Sequence, residues 1–258
     1  MKRFENKVAV VTGASRGIGQ AICVAFAKEA ATVVGVARSD LADTAAAVKA
    51  AGGTFVAHNA DLGTGTQKES ADVVAGILAK TGRIDVLVNN AGIIRRAPAK
   101  DFSEADWNAV IATNLNSPFF LMQAVGKWWI ETGRAKAPED ARLKLVNIAS
   151  LLSFQGGITV PAYAASKHGI AGVTKALSNE WAKERVNINA IAPGYIATEN
   201  TKALRDDPVR NKAIQDRIPE GRWGQPEDIA ASVIFLASKD ADYLNGAVLN
   251  VDGGWLGR

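Results

Sequence analysis

The sequence predicts an α/β protein in which a parallel β-sheet is covered by helices on both faces. Short, apolar, β-branched segments alternate along the chain with longer segments of helical periodicity. The apolar segments lack the polar alternation of a strand with one face in water, which indicates strands buried between two layers. A glycine-rich turn follows the first of these strands. We find no internal repeat and no linker, so we expect a single domain over residues 1–258.

Composition narrows the class of protein. Of 258 residues, 48% are hydrophobic and 22% charged, which is ordinary for a soluble globular protein with a substantial core. The net charge of +4 is spread along the chain, without Lys/Arg blocks and interleaved aromatics, so we expect no nucleic-acid partner. No segment reaches about 18 consecutive apolar residues, which argues against a membrane span. The single cysteine, Cys23, suits a core position and a reducing cytoplasm, and we predict no metal site.

The first strand–turn–helix unit favours dinucleotide binding. The strand from Lys7 to Val11 leads into a loop with glycines at 13, 17 and 19, and a helix follows from about Gln20 to Glu29. Glycines at such a turn let the chain bend sharply and let a pyrophosphate approach the helix N-terminus. The spacing is G-x-x-x-G-x-G rather than G-x-G-x-x-G, so the loop alone is a weak signal. Its position at the start of an alternating chain makes it a stronger one.

The second strand, Thr32 to Ala37, indicates which dinucleotide is bound. Dinucleotide sites often place an acid at the end of this strand to hold the ribose 2′-hydroxyl, but here Ala37 is followed by Arg38. Arg16 lies in the glycine loop. Two guanidiniums can bind a 2′-phosphate that a carboxylate would repel. We therefore favour NADP(H), and we keep NAD(H), with both arginines as solvated surface residues, as the alternative.

The next units continue the alternation. We predict a helix over 43–51, a strand over 54–58, a helix over 67–81 and a strand over 84–88. Asp61, just beyond the third strand, is placed to hydrogen-bond an adenine. The regular order strand, helix, strand is typical of a parallel sheet with both faces covered.

A long helix is predicted from Ser103 to about Thr132, opened by a capping box in which Asp106 stands for the usual Glu. Pro118 falls inside it and leaves the carbonyl of Asn114 without its helical donor. A freed carbonyl beside a cleft can hold a water, while a simple bend of the helix is an equal alternative. Residues 133–142 are predicted to form a polar surface loop, to which we assign no function.

The C-terminal half contains the candidate chemistry. A strand over 143–148 ends near Ser150, and a helix from about Pro161 to Lys183 carries Tyr163 and Lys167. Residues four apart share one helix face, so Lys167 lies one turn beyond Tyr163. A phenol of pKa ~10 is a poor acid or base at neutral pH, and an adjacent ammonium lowers that pKa. Ser150 is placed to hold a carbonyl oxygen that the phenol protonates. Such a pair alone also arises by chance.

The remaining segments complete the predicted sheet. A strand over 186–191 is broken at Pro193-Gly194, and a last strand covers 247–251, after a helix that starts at Pro226. The segment 195–225 is polar and rich in proline, without a clear period. Long irregular segments in compact domains are often binding loops, so we interpret it as a substrate loop.

These pieces together resemble the short-chain dehydrogenase/reductase family over the whole chain. The motifs that carry the resemblance are Thr12-Gly-x-x-x-Gly-x-Gly19, Asn89-Asn-Ala-Gly92, Asn114, Ser150, Tyr163-x-x-x-Lys167 and Pro193-Gly194. The resemblance implies a Rossmann-like, doubly wound sheet of about seven parallel strands. It also implies a homotetramer with the final helix and strand at an interface.

The resemblance assigns roles to a catalytic tetrad of Asn114, Ser150, Tyr163 and Lys167. Tyr163 would be the acid/base and Ser150 would orient and polarise the carbonyl. Lys167 would lower the pKa of the tyrosine and hold the nicotinamide ribose, and the main-chain carbonyl of Asn114 would hold a water. Tyr163 and Lys167 would also contact the cofactor. The other cofactor-binding residues are predicted to be Gly13, Ser15, Arg16, Gly17, Ile18, Gly19, Arg38, Asp61, Leu62, Asn90, Ala91, Gly92, Pro193, Gly194, Ile196 and Thr198.

Longer runs narrow the resemblance to the 2-dehydro-3-deoxy-D-gluconate 5-dehydrogenase branch, which implies a small anionic carbonyl or hydroxy substrate of the keto-deoxy sugar acid class. The runs cover 89–96, 150–158, 192–198, 217–224 and 252–258. A carboxylate substrate needs a guanidinium, for which Arg95, Arg96 and Arg222 are candidates, each with a surface role as an equal alternative. Gln155 is a candidate for a sugar hydroxyl, and Trp223 for a cover over the site.

Two other functions are kept. The loop Ala14-Ser-Arg16 looks more like that of NADP-dependent oxoacyl reductases, so a 3-oxoacyl thioester reductase is the second enzymatic alternative. A non-catalytic NAD(P)-binding sensor or scaffold is the alternative from another class, and the intact tetrad argues against it.

Overall fold

Seven parallel strands form one sheet in the computed structural model, which describes residues 2–132 and 141–258. The predicted surface loop at 133–142 lies outside the described residues except for its last two. The strand order is β3-β2-β1-β4-β5-β6-β7, which confirms the Rossmann-like, doubly wound sheet. The strands are β1 (Val8–Thr12), β2 (Thr32–Ala37), β3 (Thr54–Asn59), β4 (Val86–Asn89), β5 (Leu143–Ile148), β6 (Val186–Pro193) and β7 (Val248–Val251).

Helices cover both faces of the sheet and build two apolar layers. One layer packs α1, α2 and α9 on the sheet, and the other packs α3, α5 and α6. Because side chains alternate along a strand, Ala9 and Val11 of β1 enter the first layer while Val8 and Val10 enter the second. This explains why the strands are apolar without interruption. The helices are α1 (Gly17–Lys28), α2 (Ala42–Ala50), α3 (Gln67–Thr81), α4 (Glu104–Ile111), α5 (Ser117–Glu131), α6 (Pro161–Trp181), α7 (Lys202–Arg205), α8 (Pro208–Arg217) and α9 (Pro226–Ala237).

The long helix predicted over 103–132 contains a π-helical turn, Ala112–Asn116, between α4 and α5. Ser117 donates its backbone N–H to the carbonyl of Ala112, five residues back. Pro118 has no N–H to continue the ordinary ladder, and a wider turn at this point accommodates it. The proline therefore coincides with a π turn rather than with a simple bend.

The segment 195–225 is more regular than predicted. It contains α7 and the ten-residue α8, whose N-terminus is capped by the Asp207 carboxylate accepting from the N–H groups of Val209 and Arg210. The prediction of an irregular loop was wrong because α8 is polar nearly throughout and lacks an apolar periodicity. The two ends of the segment 195–225 are joined by an isolated parallel β-bridge between Ile196 and Gly224.

Two further predictions concern single features. Cys23 is fully buried in the layer that contains α1, where burial raises the pKa of its thiol to about 12, as expected for a core cysteine. Within the described ranges, no helix combines the length and the apolarity that crossing a bilayer requires.

Candidate active site

One large cleft of about 1320 Å³ opens at the carboxyl ends of the strands. All of the residues predicted to bind a cofactor line it, and so do Ser150, Tyr163 and Lys167. The cleft lies where β1 pairs with β2 on one side and β4 on the other, the point at which the strand order reverses. Open α/β sheets bind their ligands at this switch point. Asn114 does not line the cleft and is buried behind it.

The glycine loop leads from β1 to the start of α1 and lines the cleft. The first backbone N–H groups of any α-helix lack partners within the helix, and here the N-cap residue, Arg16, supplies no side-chain hydrogen bond to them. Gly13 has a φ of +63°, a conformation that favours glycine, and a Cβ on Gly19 would collide with the carbonyl oxygen of Gly13. Both glycines therefore allow the loop to fold closely against the start of α1 and the segment Asn90-Ala91.

The segment Asn90-Ala91 holds this loop in place. The Asn90 amide donates to the carbonyl of Thr12 at 2.9 Å and to that of Gly13 at 3.2 Å. The backbone N–H groups of Asn90 and Ala91 both donate to the buried Thr12 hydroxyl at 3.0 Å. Asn90 therefore lines the cleft, but its side-chain amide N–H groups are used by the carbonyls of Thr12 and Gly13.

The far end of the cleft is basic. Arg16 and Arg38 both line it, together with the hydroxyl pair of Ser15 and Ser39, whose oxygens are 2.9 Å apart. A guanidinium nitrogen of Arg38 lies 3.7 Å from the carboxylate of Asp61, and both side chains are exposed. This contact was not predicted, and it places one carboxylate beside the Arg38 guanidinium. An exposed pair of this length contributes little to stability, so Arg38 remains available to a ligand.

Tyr163 and Lys167 lie on the first two turns of α6, which begins with Pro161 at a position where proline is favourable. The ammonium of Lys167 is buried, donates to the carbonyl of Ile148 at 2.6 Å and lies 5.5 Å from the centre of the Tyr163 ring. Burial lowers the pKa of Lys167 to about 8. The lysine thus keeps its proton at neutral pH and begins to lose it under mildly alkaline conditions.

The pKa of Tyr163 differs from the sequence-based expectation. Burial raises it above the ordinary value of a phenol, while a hydrogen bond with Ser150 and the charge of Arg96 lower it in part. The predicted lowering is not the net effect, because burial of the phenol raises its pKa more than the neighbouring groups lower it. Arg96, predicted as a substrate residue, is a cation whose charge contributes to lowering the pKa of the phenol.

Asn114 connects the π turn to α6, the helix that carries Tyr163 and Lys167. Its amide accepts from the N–H of Ile93 at 2.8 Å and donates to the carbonyl of the same residue at 2.9 Å. It also donates to Ser166 at 3.3 Å, and the Ser166 hydroxyl in turn donates to the carbonyl of Tyr163 at 2.8 Å. The resemblance implied only a role for the main-chain carbonyl of Asn114. Side-chain contacts across the fold are not visible in the sequence.

The structure divides the predicted substrate residues into two groups. Arg96 and Gln155 line the cleft. Arg95 lies outside the cleft and pairs with Asp106 at 3.2 Å, and Arg222 pairs with Asp228 at 2.8 Å beside a separate cavity of about 230 Å³. Trp223 is buried, and its indole N–H donates to Asn211 at 2.7 Å. Residues of the cleft that the sequence did not single out include Tyr195, Arg210, Arg217 and Trp255.

Comparison with known proteins agrees with this architecture. A family model described as short chain dehydrogenase matches residues 7–209. The 2-dehydro-3-deoxy-D-gluconate 5-dehydrogenase of Bacillus subtilis is 48% identical over 99% of this chain and 96% of its own length. The protein of the same name from Escherichia coli is 47% identical over 99% of this chain and 97% of its own length.

Solved structures show the same fold. A protein from Agrobacterium tumefaciens with bound NADP has a TM-score of 0.89 and 51% identity, covering 98% of each chain. A gluconate 5-dehydrogenase from Burkholderia cenocepacia in complex with NADP and tartrate has a TM-score of 0.88 and 33% identity, covering 99% of this chain and 97% of its own. The chain belongs to the short-chain dehydrogenase/reductase family of NAD(P)-dependent oxidoreductases.

Proposed function

We propose that this protein interconverts a carbonyl and a hydroxyl group of a keto-deoxy sugar acid with NADP(H). One observation carries the proposal: Tyr163, Lys167 and Ser150, near the end of β5, face the same cleft as the uncapped N-terminus of α1. Neighbouring strands are about 4.8 Å apart, so a cofactor held at β1 and β2 must extend across β4 to reach β5. An extended dinucleotide has the length that this arrangement requires.

NADP(H) fits the residues at the far end of the cleft. The first N–H groups of α1 would hold the pyrophosphate, and Arg16 and Arg38 would hold a 2′-phosphate. The nicotinamide of a bound cofactor supplies or accepts the hydride. The relatives from A. tumefaciens and B. cenocepacia, both solved with NADP, support this choice.

Tyr163 and Ser150, which also line the cleft, would carry out the proton transfer. The Tyr163 hydroxyl would donate its proton to the carbonyl oxygen during reduction, and its phenolate would accept a proton from the alcohol during oxidation. Ser150 would donate a hydrogen bond to the same oxygen and hold it against Tyr163. Because burial raises the pKa of Tyr163, the phenol keeps its proton at neutral pH, so reduction is favoured there and oxidation accelerates as the pH rises.

Lys167 and Asn114 would complete the tetrad. A protonated Lys167 would hold the nicotinamide ribose and favour the phenolate of Tyr163. The main-chain carbonyl of Asn114, in the π turn that precedes Pro118, would hold a water that links Lys167 to solvent. Residues in π turns are often functional, which supports this assignment.

Two observations support a keto-deoxy sugar acid as the substrate: the names of the relatives and the positively charged side chains in the cleft. The relatives from B. subtilis and E. coli carry the name 2-dehydro-3-deoxy-D-gluconate 5-dehydrogenase and match nearly the whole chain. The walls of the cleft include Arg96, Arg210 and Arg217, which favours an anionic substrate. We further propose that residues 1–258 form a single domain and that 195–225 is the substrate segment, since Tyr195 and Arg217 of that segment line the cleft.

A substrate panel with both cofactors tests the proposal. Oxidation of NADPH by 2-keto-3-deoxy sugar acids is expected, and the absence of turnover with every sugar acid and both cofactors would exclude the proposal. A higher kcat/KM with acetoacetyl thioesters would establish the oxoacyl reductase, which the Ala14-Ser-Arg16 loop favours. Tyr163→Phe is expected to abolish turnover while NADPH binding persists. Unchanged turnover in this variant would refute the role of Tyr163.

We propose that the protein works in the cytoplasm as a homotetramer. The cytoplasmic location is supported by the single cysteine, Cys23, which is a free, buried thiol and suits a reducing compartment. The assembly is supported by exposed apolar side chains at the end of the sheet, namely Phe235, Tyr243 and Leu249.

A further inference from the structure

Arg217, the last residue of α8, is held against an aromatic ring in the wall of the cleft. Its guanidinium carbon lies 4.0 Å from the centre of the Trp255 ring. Trp255 is only 5% exposed, and Tyr195 packs on it with ring centres 4.7 Å apart. The indole is therefore a fixed platform, and the guanidinium that rests on it has a defined position despite its exposure.

The N–H groups of this guanidinium are not committed to other groups of the described residues. No carboxylate of residues 2–132 or 141–258 lies within ion-pair distance of Arg217, and no hydrogen bond from its side chain is formed with them. Arg95 and Arg222, which lie outside the cleft, pair with Asp106 and Asp228. A stacked guanidinium binds through its face and leaves the planar fork of donors at its edge free for a carboxylate.

A short path connects this platform to the catalytic serine. The indole N–H of Trp255 donates to the side chain of Gln155 at 3.2 Å. The backbone N–H of Gln155 donates to the carbonyl of Leu151 at 3.1 Å, and Leu151 directly follows Ser150. Arg217 is thereby fixed relative to the hydroxyl that would hold the reacting carbonyl.

Two acids of the segment 195–225, Glu199 and Asp207, also line the cleft, and neither pairs with Arg217. The carboxylate of Asp207 caps α8 by accepting from Val209 and Arg210, and Glu199 forms no ion pair with the described part of the chain. The wall therefore presents one stacked, unpaired guanidinium to whatever enters.

We propose that Arg217, positioned by Trp255, binds the carboxylate of the substrate and determines that the cleft accepts a sugar acid rather than a neutral sugar. Gln155, bound to the same indole, fixes the platform relative to Ser150. This inference rests on the proposed function, and it adds the residue that recognises the acid group.

The test compares a keto-deoxy sugar acid with its C1 amide, which has the same shape without the charge. In Arg217→Met, kcat/KM for the acid is expected to fall about ten- to a hundredfold, the usual effect of losing a charge-assisted hydrogen bond, and that for the amide by less than about twofold. Lys212→Met is the matched control, because it removes one positive charge from the same helix on a side chain that pairs with Asp216 instead of lining the cleft. It is expected to change neither value.

The outcomes separate the two proposals. If the native protein reduces the acid and Arg217→Met preserves the native preference for acid over amide, the role of Arg217 is refuted and the proposed function stands. An equal loss for acid and amide would also refute it, since it would indicate a general effect on the cleft. If the native protein turns over no sugar acid, both proposals fall. Binding of NADPH to each variant, measured by fluorescence, confirms that the variant is folded.

Discussion

At the scale of single residues, Lys167 combines a charged group with a buried position. Its pKa is about 8 in the folded protein, below the ordinary value of about 10.4 expected in the unfolded chain. Between these values the unfolded chain binds more protons, so the free energy of unfolding rises with pH across that window. The destabilisation is complete below about pH 8 and is relieved as the pH rises toward 10.

Lys167→Met is therefore expected to inactivate the protein and to stabilise it. The difference between a pKa of about 8 in the folded protein and about 10.4 in the unfolded chain corresponds to ~3 kcal/mol at pH 7. The lost hydrogen bond to Ile148 offsets part of this gain, which leaves about 1–3 kcal/mol. Urea unfolding at pH 7 and pH 9.5 measures the gain, which is expected to shrink by more than half at the higher pH. Lys68→Met, at an exposed position, is the control. A variant less stable than the native protein at pH 7 would contradict this account.

At the scale of elements, the π turn between α4 and α5 joins two parts of the site. Asn114 bonds to both backbone groups of Ile93, beyond β4, and through Ser166 to the start of α6. We expect Asn114→Ala to lower the free energy of unfolding by about 1–3 kcal/mol, because it leaves these groups without partners. Asn116→Ala, in the same turn, is the control and is expected to cost less. Equal losses in the two variants, measured by denaturant unfolding, would show that the bridge is unimportant.

We predict that Arg16, in the turn between β1 and α1, and Arg38, just after β2, determine the choice of cofactor, because both line the cleft. We expect the double substitution Arg16→Ala and Arg38→Ala to lower the ratio of kcat/KM for NADPH to that for NADH at least tenfold, since each guanidinium can make a charge-assisted contact with a 2′-phosphate. Lys28→Ala, at the opposite end of α1, is expected to leave the ratio unchanged. If the double variant keeps the native ratio, the choice between the cofactors lies elsewhere.

On the scale of the molecule, patterns that depend on local sequence were predictable. Some features depend only on residues that are neighbours in the chain, namely the apolar strands, the glycine turn and the Tyr163-Lys167 spacing. The structure confirms the strands and the turn into α1. The stacking of Arg217 on Trp255 joins segments that are distant in the chain, so no local pattern reveals it. Similarly, the polar α8 was missed because its stability depends on the Asp207 cap and on packing rather than on periodicity.

The outer edge of the sheet leads to a prediction about assembly. β7 is the last strand in the order, and Leu249 on it is 38% exposed, while Phe235 of the adjoining α9 is 40% exposed. An open sheet edge with apolar neighbours is a surface that proteins usually cover, and a second copy of this chain would cover it. Light scattering of the purified protein is expected to give the mass of four chains.

Substitution of this surface tests where the contact lies. Closed tetramers are commonly built from two kinds of two-fold interface, so disrupting one kind leaves dimers rather than monomers. We expect Phe235→Glu together with Leu249→Glu to give the mass of two chains, because each buried glutamate would lose its hydration without gaining a partner. Val209→Glu, at an apolar position on α8 that is 79% exposed, is expected to leave the tetramer intact. A tetramer that persists in the double variant would show that its interfaces lie on the helical faces of the molecule, and a native monomer would exclude the assembly.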